Sequence, residues 1–253
     1  SIKVGENVNL SIDVERRNNS KANHSATHLL HAALRELLGK HVEQKGSLVD
    51  ENKLRFDFSH GQGLGGANVS DVEVLVNEKI RGNFEISSNL MSYDAAIESG
   101  AVALFGEKYG DEVRVLSMSE FSTELCGGTH ASRTGDIGVF KIISESGVAA
   151  GVRRIEAVTG DTAIEHLTKL DRRINQLSML LKSNESDLEK KVEQIISRNR
   201  SLEKETQELK HKLSGKSGQD LKENAVTVNG VTVVSEILDD ADIDALRVAC
   251  DDL

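Results

Sequence analysis

The chain has 253 residues, of which 38% are hydrophobic and 28% charged, so it is long enough to bury one large or two ordinary cores. No apolar run reaches the length of a membrane-spanning helix and no secretory pattern opens the chain, which excludes a membrane protein and predicts a soluble, cytoplasmic one. The net charge of -10 argues against a broadly basic nucleic-acid-binding surface, so any contact with RNA should be local.

The N-terminal part of the sequence predicts a strand followed by a helix. Residues 8–14 alternate apolar and polar side chains, which is the period of a half-buried strand. Because such a strand needs a partner and the first residue is Ser1 rather than methionine, we expect the chain to begin inside a longer protein. From Ser25 the apolar spacing becomes helical and continues to Leu38, where Gly39 supplies a stop.

The segment that follows predicts a mixture of strands and helices. Strands are expected within residues 46–58 and a helix at residues 69–81. Further strands are expected at residues 85–91, 113–118, 139–144 and 154–158, with a short helix at residues 94–99. Residues 121–132 are too glycine-rich for a regular element and indicate a site loop, and residues 145–151 are expected to form a loop. The pattern therefore predicts an α+β domain.

The sequence pattern changes after the last of these strands. Apolar residues then repeat at spacings of three and four in two seams, residues 170–181 and 188–213, which are out of phase. Residues 182–185 between the seams are polar, and Ser186 with Glu189 matches a capping box. This favours a coiled-coil hairpin or kinked pair over the alternative, one continuous helix with a stutter.

The C-terminal part of the sequence predicts a hairpin. Two glycines within residues 215–218 should end the second helix. An Asn-Gly pair separates two β-type runs, residues 225–228 and 231–237, and residues 242–253 begin a helix that stops short. The whole pattern predicts an α+β domain, a helical coiled-coil hairpin and a truncated α/β segment, at residues 1–160, 161–218 and 219–253.

Two pairs of residues have the spacing of metal ligands. His24 and His28 lie four residues apart in the first predicted helix, so both imidazoles project from one face. Cys126 and His130 repeat that spacing in the glycine-rich loop. Imidazole nitrogen and thiolate sulfur suit tetrahedral Zn²⁺ better than calcium or magnesium, so the sequence predicts a zinc site if the fold joins the pairs. His31 is expected to support this site rather than bind the ion.

Four motifs, in their order and spacing, resemble the editing domain of alanyl-tRNA synthetases. They are residues 23–31 (NHSATHLLH), 44–47 (QKGS), 123–130 (TELCGGTH) and 151–156 (GVRRIE). The resemblance covers residues 1–160, and the later seams and hairpin resemble the helical and globular C-terminal regions of these synthetases. Nucleotide-binding motifs of the aminoacylation domain are not found. We therefore do not expect this chain to activate alanine, and ATP binding belongs to the full-length synthetase.

The resemblance implies a hydrolase that removes serine or glycine wrongly esterified to the terminal adenosine of alanine tRNA. It maps the zinc ligands of the family onto His24, His28, Cys126 and His130. Four protein ligands usually mark a structural zinc site, whereas a catalytic site keeps an open position, so the role of the ion stays open. The implied partners are the acceptor end of alanine tRNA and, through residues 161–218, a second copy of the chain.

Further site residues follow from the same resemblance. Gln44 matches a pocket position where its amide could bind the hydroxyl of serine, although an exposed loop glutamine is an equal alternative. Thr27 and Thr129 flank the ligands and could serve the same end. All three are therefore candidate catalytic-site residues.

The candidate tRNA contacts lie near the end of the α+β domain. Arg153, Arg154 and the backbone of Gly151 are natural partners for phosphates of the acceptor end. Because side chains diverge along a strand, we expect one arginine to face RNA and the other to pair with an acidic group.

Two other readings compete with this one. The related domain of threonyl-tRNA synthetases shares both ligand pairs, but here Gly127 and Thr129 stand where that family tends to carry arginine and proline. The second alternative is a non-catalytic fragment, stabilised by zinc, that binds tRNA and dimerises.

Overall fold

The structure is a computed structural model that describes residues 3–103 and 109–235, together with Ile243, Arg247 and Cys250. Within residues 211–223 only the backbone is described. The described helices are α1 Val14–Leu38, α2 Gly65–Arg81, α3 Tyr93–Glu98, α4 Gly160–Leu181 and α5 Leu188–Glu223, with 3₁₀ helices at Thr134–Ile137 and Glu185–Asp187. No helix in this described part is long and apolar enough to cross a membrane.

The strands form antiparallel sheets. Their bounds are β1 Gln44–Val49, β2 Leu54–Ser59, β3 Ile86–Ser92, β4 Glu112–Met118, β5 Ser122–Leu125, β6 Phe140–Ala149, β7 Val152–Thr159, β8 Val226–Val228 and β9 Val231–Val233. One sheet has the order β1-β2-β7-β6, a second has the order β3-β4-β5, and β8 pairs with β9. Together with the helices they confirm the mixed α and β character expected from the sequence.

Helix α1 packs its apolar face on the four-stranded sheet. Leu29, Leu30 and Leu34 are buried in one cluster with Phe56 and Phe58 of β2. Burying each such side chain stabilises the fold by roughly 1.5–3 kcal/mol before entropy is counted. The packing fixes which side of α1 faces inward, and the histidines of the predicted site lie on that side.

The predicted strand at residues 8–14 is wrong. The segment before α1 has no regular structure up to Asp13, and Leu10 is 94% exposed. Helix α1 begins at Val14 because the Asp13 carboxylate accepts a hydrogen bond from the Arg16 N–H, 3.0 Å away, and caps the helix. Apolar alternation alone does not form a strand when no partner strand pairs with it.

Two segments expected to be loops contain strands. The glycine-rich segment includes β5, which pairs with β4 from Ser122 to Leu125. The expected loop at residues 145–151 lies mostly within the long β6–β7 hairpin, where Gly147 pairs with Arg153 and a bulge precedes Ala149. Antiparallel pairing extends both arms almost to the turn, and Gly151 adopts a φ of 70° there.

The chain divides into two compact units, Ser1–Leu170 and Asp171–Leu253. The helix break predicted between the two seams is confirmed, because α4 ends at Leu181 and α5 begins at Leu188. Lys182 adopts a φ of 49°, and the Ser183 N–H donates to the Ser178 carbonyl at 3.0 Å, which closes α4. Whether the helices pair as a coiled-coil hairpin stays a prediction, as do the boundaries of the three regions.

Helix α5 is longer than the sequence predicts. It continues through residues 215–218 to Glu223, so the glycines there do not end it. Glycine in a helix interior costs only about 1 kcal/mol, which flanking helix formers offset. The hairpin prediction is confirmed by β8 and β9, whose turn residues Asn229 and Gly230 have φ angles of 51° and 82°. The helix predicted at residues 242–253 falls mainly outside the described residues.

Candidate metal centre

Two histidines project from one face of α1. His24 and His28 lie one helical turn apart, and their ring centroids are 5.2 Å apart. His28 is buried, whereas His24 is half-buried. Ser25, between them, is fully buried and receives a hydrogen bond from the Ala131 N–H at 3.0 Å, which ties the helix to the segment after His130. The helix therefore supplies one half of the site and also anchors the other half.

The other half of the site follows β5. Cys126 comes directly after this strand, and its N–H donates to the Arg114 carbonyl of β4 at 3.0 Å. The Arg114 guanidinium in turn donates to the carbonyl oxygens of Cys126, at 2.8 Å, and Gly128. These bonds bend the loop so that Cys126 and His130 face α1.

The fold brings the two predicted ligand pairs together. The ligand atoms of His24, His28, Cys126 and His130 all lie within 4.8 Å of one another. The Cys126 Sγ lies 3.3 Å from the His130 Nε2 and 3.5 Å from the His24 Nε2. Tetrahedral zinc, with bonds of about 2.0–2.3 Å, would place neighbouring ligand atoms about 3.3–3.6 Å apart. The two Cys126 distances match this spacing, and all four ligand atoms are close enough to surround one ion.

The hydrogen bonding of His28 supports the same conclusion. Its Nε2 is buried and has no hydrogen-bond partner among the described residues, while its Nδ1 lies 2.6 Å from Glu124. A buried polar atom left without a partner costs free energy unless something else satisfies it. An ion held by the four ligands would satisfy this nitrogen.

The protonation states of Cys126 and His130 also suit metal binding. Burial alone raises the pKa of the Cys126 thiol, but hydrogen bonds from His130 and His24 and the nearby charge of His28 outweigh it and lower that pKa to about 3. Cys126 is therefore a thiolate, the form that binds metals. Burial lowers the pKa of His28, yet the Glu124 carboxylate raises it more, to about 10, so this ring must release a proton when it binds an ion. For His130, burial lowers the pKa and keeps the ring neutral.

Glycine is required at one position of the loop. A Cβ added at Gly128 would overlap the ring of His24, whereas a Cβ at Gly127 would meet no atom within 4 Å. The two neighbouring glycines therefore have different roles, and only Gly128 makes room for a ligand.

Glu124 is a residue of the site that the sequence patterns do not indicate. This residue is buried and contacts both His28 and His31. One signal was available: Glu124 precedes Cys126 by two residues, and alternate residues of a strand lie on the same face. A buried acidic group on the ligand side of the strand marks a second layer of the site.

The three candidate catalytic-site residues have different surroundings. Gln44 is half-buried at the start of β1 and forms no side-chain hydrogen bond to another described residue. The Thr27 hydroxyl is buried and donates to the Asn23 carbonyl one turn earlier, at 2.9 Å. Thr129 is exposed in the loop beside His130. Gln44 and Thr129 are therefore free to bind other groups, whereas Thr27 already uses its proton within α1.

The candidate tRNA contacts lie at the end of the β6–β7 hairpin. Arg153 pairs with Glu145 at 2.5 Å, and Arg154 binds Asp57 through two hydrogen bonds of 2.7 and 2.8 Å. The acidic partner expected for one arginine is thus present for both, because the long hairpin and β2 bring a carboxylate to each. The Gly151 carbonyl accepts from the His60 N–H at 2.9 Å.

Comparisons with known proteins point to aminoacyl-tRNA synthetases. Residues 113–156, which include nearly all of β4, β5 and the ligand loop, match the family described as the second additional domain of threonyl- and alanyl-tRNA synthetases. The alanine–tRNA ligase of Haemophilus influenzae strain PittGG is 53% identical over all 253 residues, which are 29% of its own length. That of Burkholderia vietnamiensis strain G4 is 51% identical over the same 253 residues, again 29% of its length.

The chain thus spans about 29% of the length of the curated relatives it matches. Over that span the similarity is continuous, since it covers 100% of the chain. The chain is therefore similar throughout to one segment of alanine–tRNA ligase, and its residues 113–156 match the second additional domain of threonyl- and alanyl-tRNA synthetases.

Proposed function

We propose that this chain binds Zn²⁺ and hydrolyses the ester of serine or glycine wrongly attached to the terminal adenosine of alanine tRNA. The observation that carries the proposal is the cluster of His24, His28, Cys126 and His130, whose ligand atoms lie within 4.8 Å of one another. Half of this cluster falls in the segment that matches the synthetase domain. The activity would be that of an aminoacyl-tRNA deacylase within an alanine–tRNA ligase.

Zinc is the ion that the donor set favours. Three imidazoles and one thiolate are borderline-soft ligands, which bind zinc in tetrahedral geometry and disfavour magnesium and calcium. When bound, the ion would supply either a Lewis acid or a rigid frame for the pocket. The protein groups around it hold the ligands: Arg114 shapes the loop, Ser25 lies 3.4 Å from the His130 ring, and Glu124 contacts His28.

The chemistry of the amino acids explains why a hydrolytic site is needed. A pocket for alanine excludes larger side chains by volume, but glycine is smaller and serine adds only a hydroxyl. Binding alone therefore discriminates poorly, and a second site that removes the errors raises fidelity. We propose that Gln44 binds the serine hydroxyl, with Thr129 and Thr27 as further polar groups near the ligands.

We propose that the acceptor end of tRNA contacts the β6–β7 hairpin through Arg153, Arg154 and the backbone of Gly151. The chain is acidic overall, so RNA binding depends on such local groups. Because both guanidiniums are paired with carboxylates, a phosphate would share them with Glu145 and Asp57 or displace those carboxylates. We further propose a cytoplasmic protein, since a reducing compartment preserves the Cys126 thiolate.

Deacylation assays test the proposed activity directly. The chain is incubated with seryl-, glycyl- and alanyl-tRNA(Ala), with and without a chelator, and zinc is counted by elemental analysis. We expect one zinc per chain, hydrolysis of the first two substrates, and loss of both metal and activity in Cys126→Ala combined with His130→Ala. Unchanged zinc content in that double variant would reject the ligand set.

A second candidate function is a non-catalytic fragment in which zinc is structural. Two observations favour it: the four side chains would fill the coordination of a tetrahedral ion, and many described apolar side chains of α4 and α5 are exposed. In this case the chain would bind tRNA(Ala) and associate with a second copy. Zinc-loaded chain that binds tRNA but hydrolyses no ester would select this function over the first.

A further inference from the structure

Glu124 forms a bridge between two histidines beneath the candidate metal centre. One carboxylate oxygen lies 2.6 Å from the His28 Nδ1, and the other lies 2.8 Å from the His31 Nδ1. All three side chains are buried. The carboxylate is thus held at both oxygens by two imidazole rings from one face of α1.

This arrangement decides where the protons lie. An ionised carboxylate only accepts hydrogen bonds, so each histidine must donate through Nδ1. When the His28 ring is neutral, its lone pair is therefore on Nε2, the nitrogen that belongs to the cluster with His24, Cys126 and His130. A histidine that presents its lone pair at a fixed angle is already prepared to bind an ion.

We propose that Glu124 is a positioning residue that fixes the tautomer and orientation of His28, and that His31 is a second anchor for the same carboxylate. His31 is not a ligand in this scheme. Its ring packs against Phe56, with centroids 5.3 Å apart, and its own Nε2 is buried without a partner among the described residues. Its Nδ1 holds the oxygen of Glu124 that His28 does not use. The inference rests on the proposed metal site and assigns roles to residues outside it.

The variant Glu124→Gln separates these roles because an amide has only one acceptor oxygen. Its NH₂ group must then face the Nδ1 of either His28 or His31, and that ring has to move its proton to Nε2. When the ring is His28, the proton blocks the metal-binding nitrogen. We therefore expect about 10- to 100-fold weaker zinc binding, the usual effect of losing such a partner.

Removing His31 from this variant should restore binding. In Glu124→Gln combined with His31→Leu, the single amide oxygen has only His28 to accept from, and leucine keeps apolar contact with Phe56. The double variant should bind zinc more tightly than Glu124→Gln alone, and His31→Leu alone should weaken binding less than Glu124→Gln does, because Glu124 still accepts from His28. A merely structural role for Glu124 predicts the opposite order, because two buried side chains are then altered.

The readouts are zinc affinity in competition with a chromophoric chelator, the absorption spectrum of the Co²⁺-loaded chain, and proton–nitrogen correlation spectra that identify the protonated nitrogen of each ring. The zinc-loaded parent should show the proton on Nδ1 of both His28 and His31.

Three results would overturn the inference. They are a zinc affinity of Glu124→Gln equal to that of the parent chain, a folded double variant that binds zinc no more tightly than Glu124→Gln, and a proton on the His28 Nε2. If the double variant does not fold, the spectra of the parent decide. A parent chain that binds no zinc would overturn the metal site itself.

Discussion

At the scale of single residues, the metal centre depends on how closely the loop approaches α1. The ring of His24 occupies the space where a side chain at Gly128 would lie, while the space beside Gly127 is open. The adjacent glycines look equivalent in the sequence. Only the fold shows that one of them is packed against a ligand.

This difference gives the first prediction. Gly128→Ala should displace the His24 ring and weaken zinc binding by at least about tenfold, whereas Gly127→Ala should leave the affinity within about twofold. Chelator competition on both purified variants measures the effect. Equal affinities for the two variants would show that the loop moves away from α1 at little cost, and that the approach at Gly128 is not needed.

The second prediction concerns selectivity at Gln44. If its amide binds the serine hydroxyl, Gln44→Ala removes a contact that glycine never makes, so the loss should fall on seryl-tRNA. A neutral hydrogen bond of about 1–2 kcal/mol corresponds to roughly a five- to thirty-fold drop in kcat/KM. His28→Ala is the matched comparison, because it disturbs the whole site and should slow both substrates. Equal slowing by Gln44→Ala would move hydroxyl recognition to a group such as Thr129.

At the scale of elements, the sequence predicts best where periodicity and burial agree. The apolar stripe of α1 and the alternation of Leu54, Phe56 and Phe58 in β2 both coincide with buried faces. Residues 8–14 show equally regular alternation but pair with no strand, because side-chain pattern does not report whether a partner exists. The sequence does not reveal strand β5, because its four residues carry little periodic signal and the glycines that follow it indicate a loop.

The candidate site also contains residues that the sequence indicates and residues whose roles only the fold reveals. The ligands His24, His28, Cys126 and His130 are local pairs at a spacing of four, which the sequence displays directly. Glu124 and Arg114 act only through contacts across elements, so their roles depend on the fold. Sequence patterns therefore indicate the residues that could bind a metal, but not the residues that orient them.

The third prediction concerns the exposed face of α4. Leu177 is 52% exposed, and an apolar stripe of this kind gains free energy by packing against another helix. If α4 mediates association of two chains, Leu177→Glu should shift sedimentation toward the monomer. Gln176→Glu, at an exposed neighbouring position, adds the same charge and should not. An oligomer that persists in Leu177→Glu would place association elsewhere.

At the scale of the whole molecule, a bound ion would link parts of the chain that lie far apart in sequence. Helix α1 packs on the four-stranded sheet, whereas Cys126 follows a strand of the three-stranded sheet. All four ligands belong to the unit Ser1–Leu170, and none lies in Asp171–Leu253. A bound ion should therefore raise the free energy of unfolding of the unit Ser1–Leu170 and leave that of Asp171–Leu253 unchanged.

Metal removal provides the last prediction. An ion that binds only the folded state adds RT ln(1 + [L]/Kd), about 2.7 kcal/mol when free zinc is a hundred times Kd. Chelation should therefore lower the melting temperature of the unit Ser1–Leu170 while the helical transition of Asp171–Leu253 stays in place. Scanning calorimetry of the whole chain, with circular dichroism to follow the helices, resolves the two thermal transitions.

The double variant that combines Cys126→Ala with His130→Ala is the control. It should have a lower melting temperature than the parent chain, and the chelator should not lower it further, because this variant binds no ion. A chelator effect of equal size on both transitions would mean that the metal couples the two units, and no effect on either would mean that the four side chains hold their geometry without an ion.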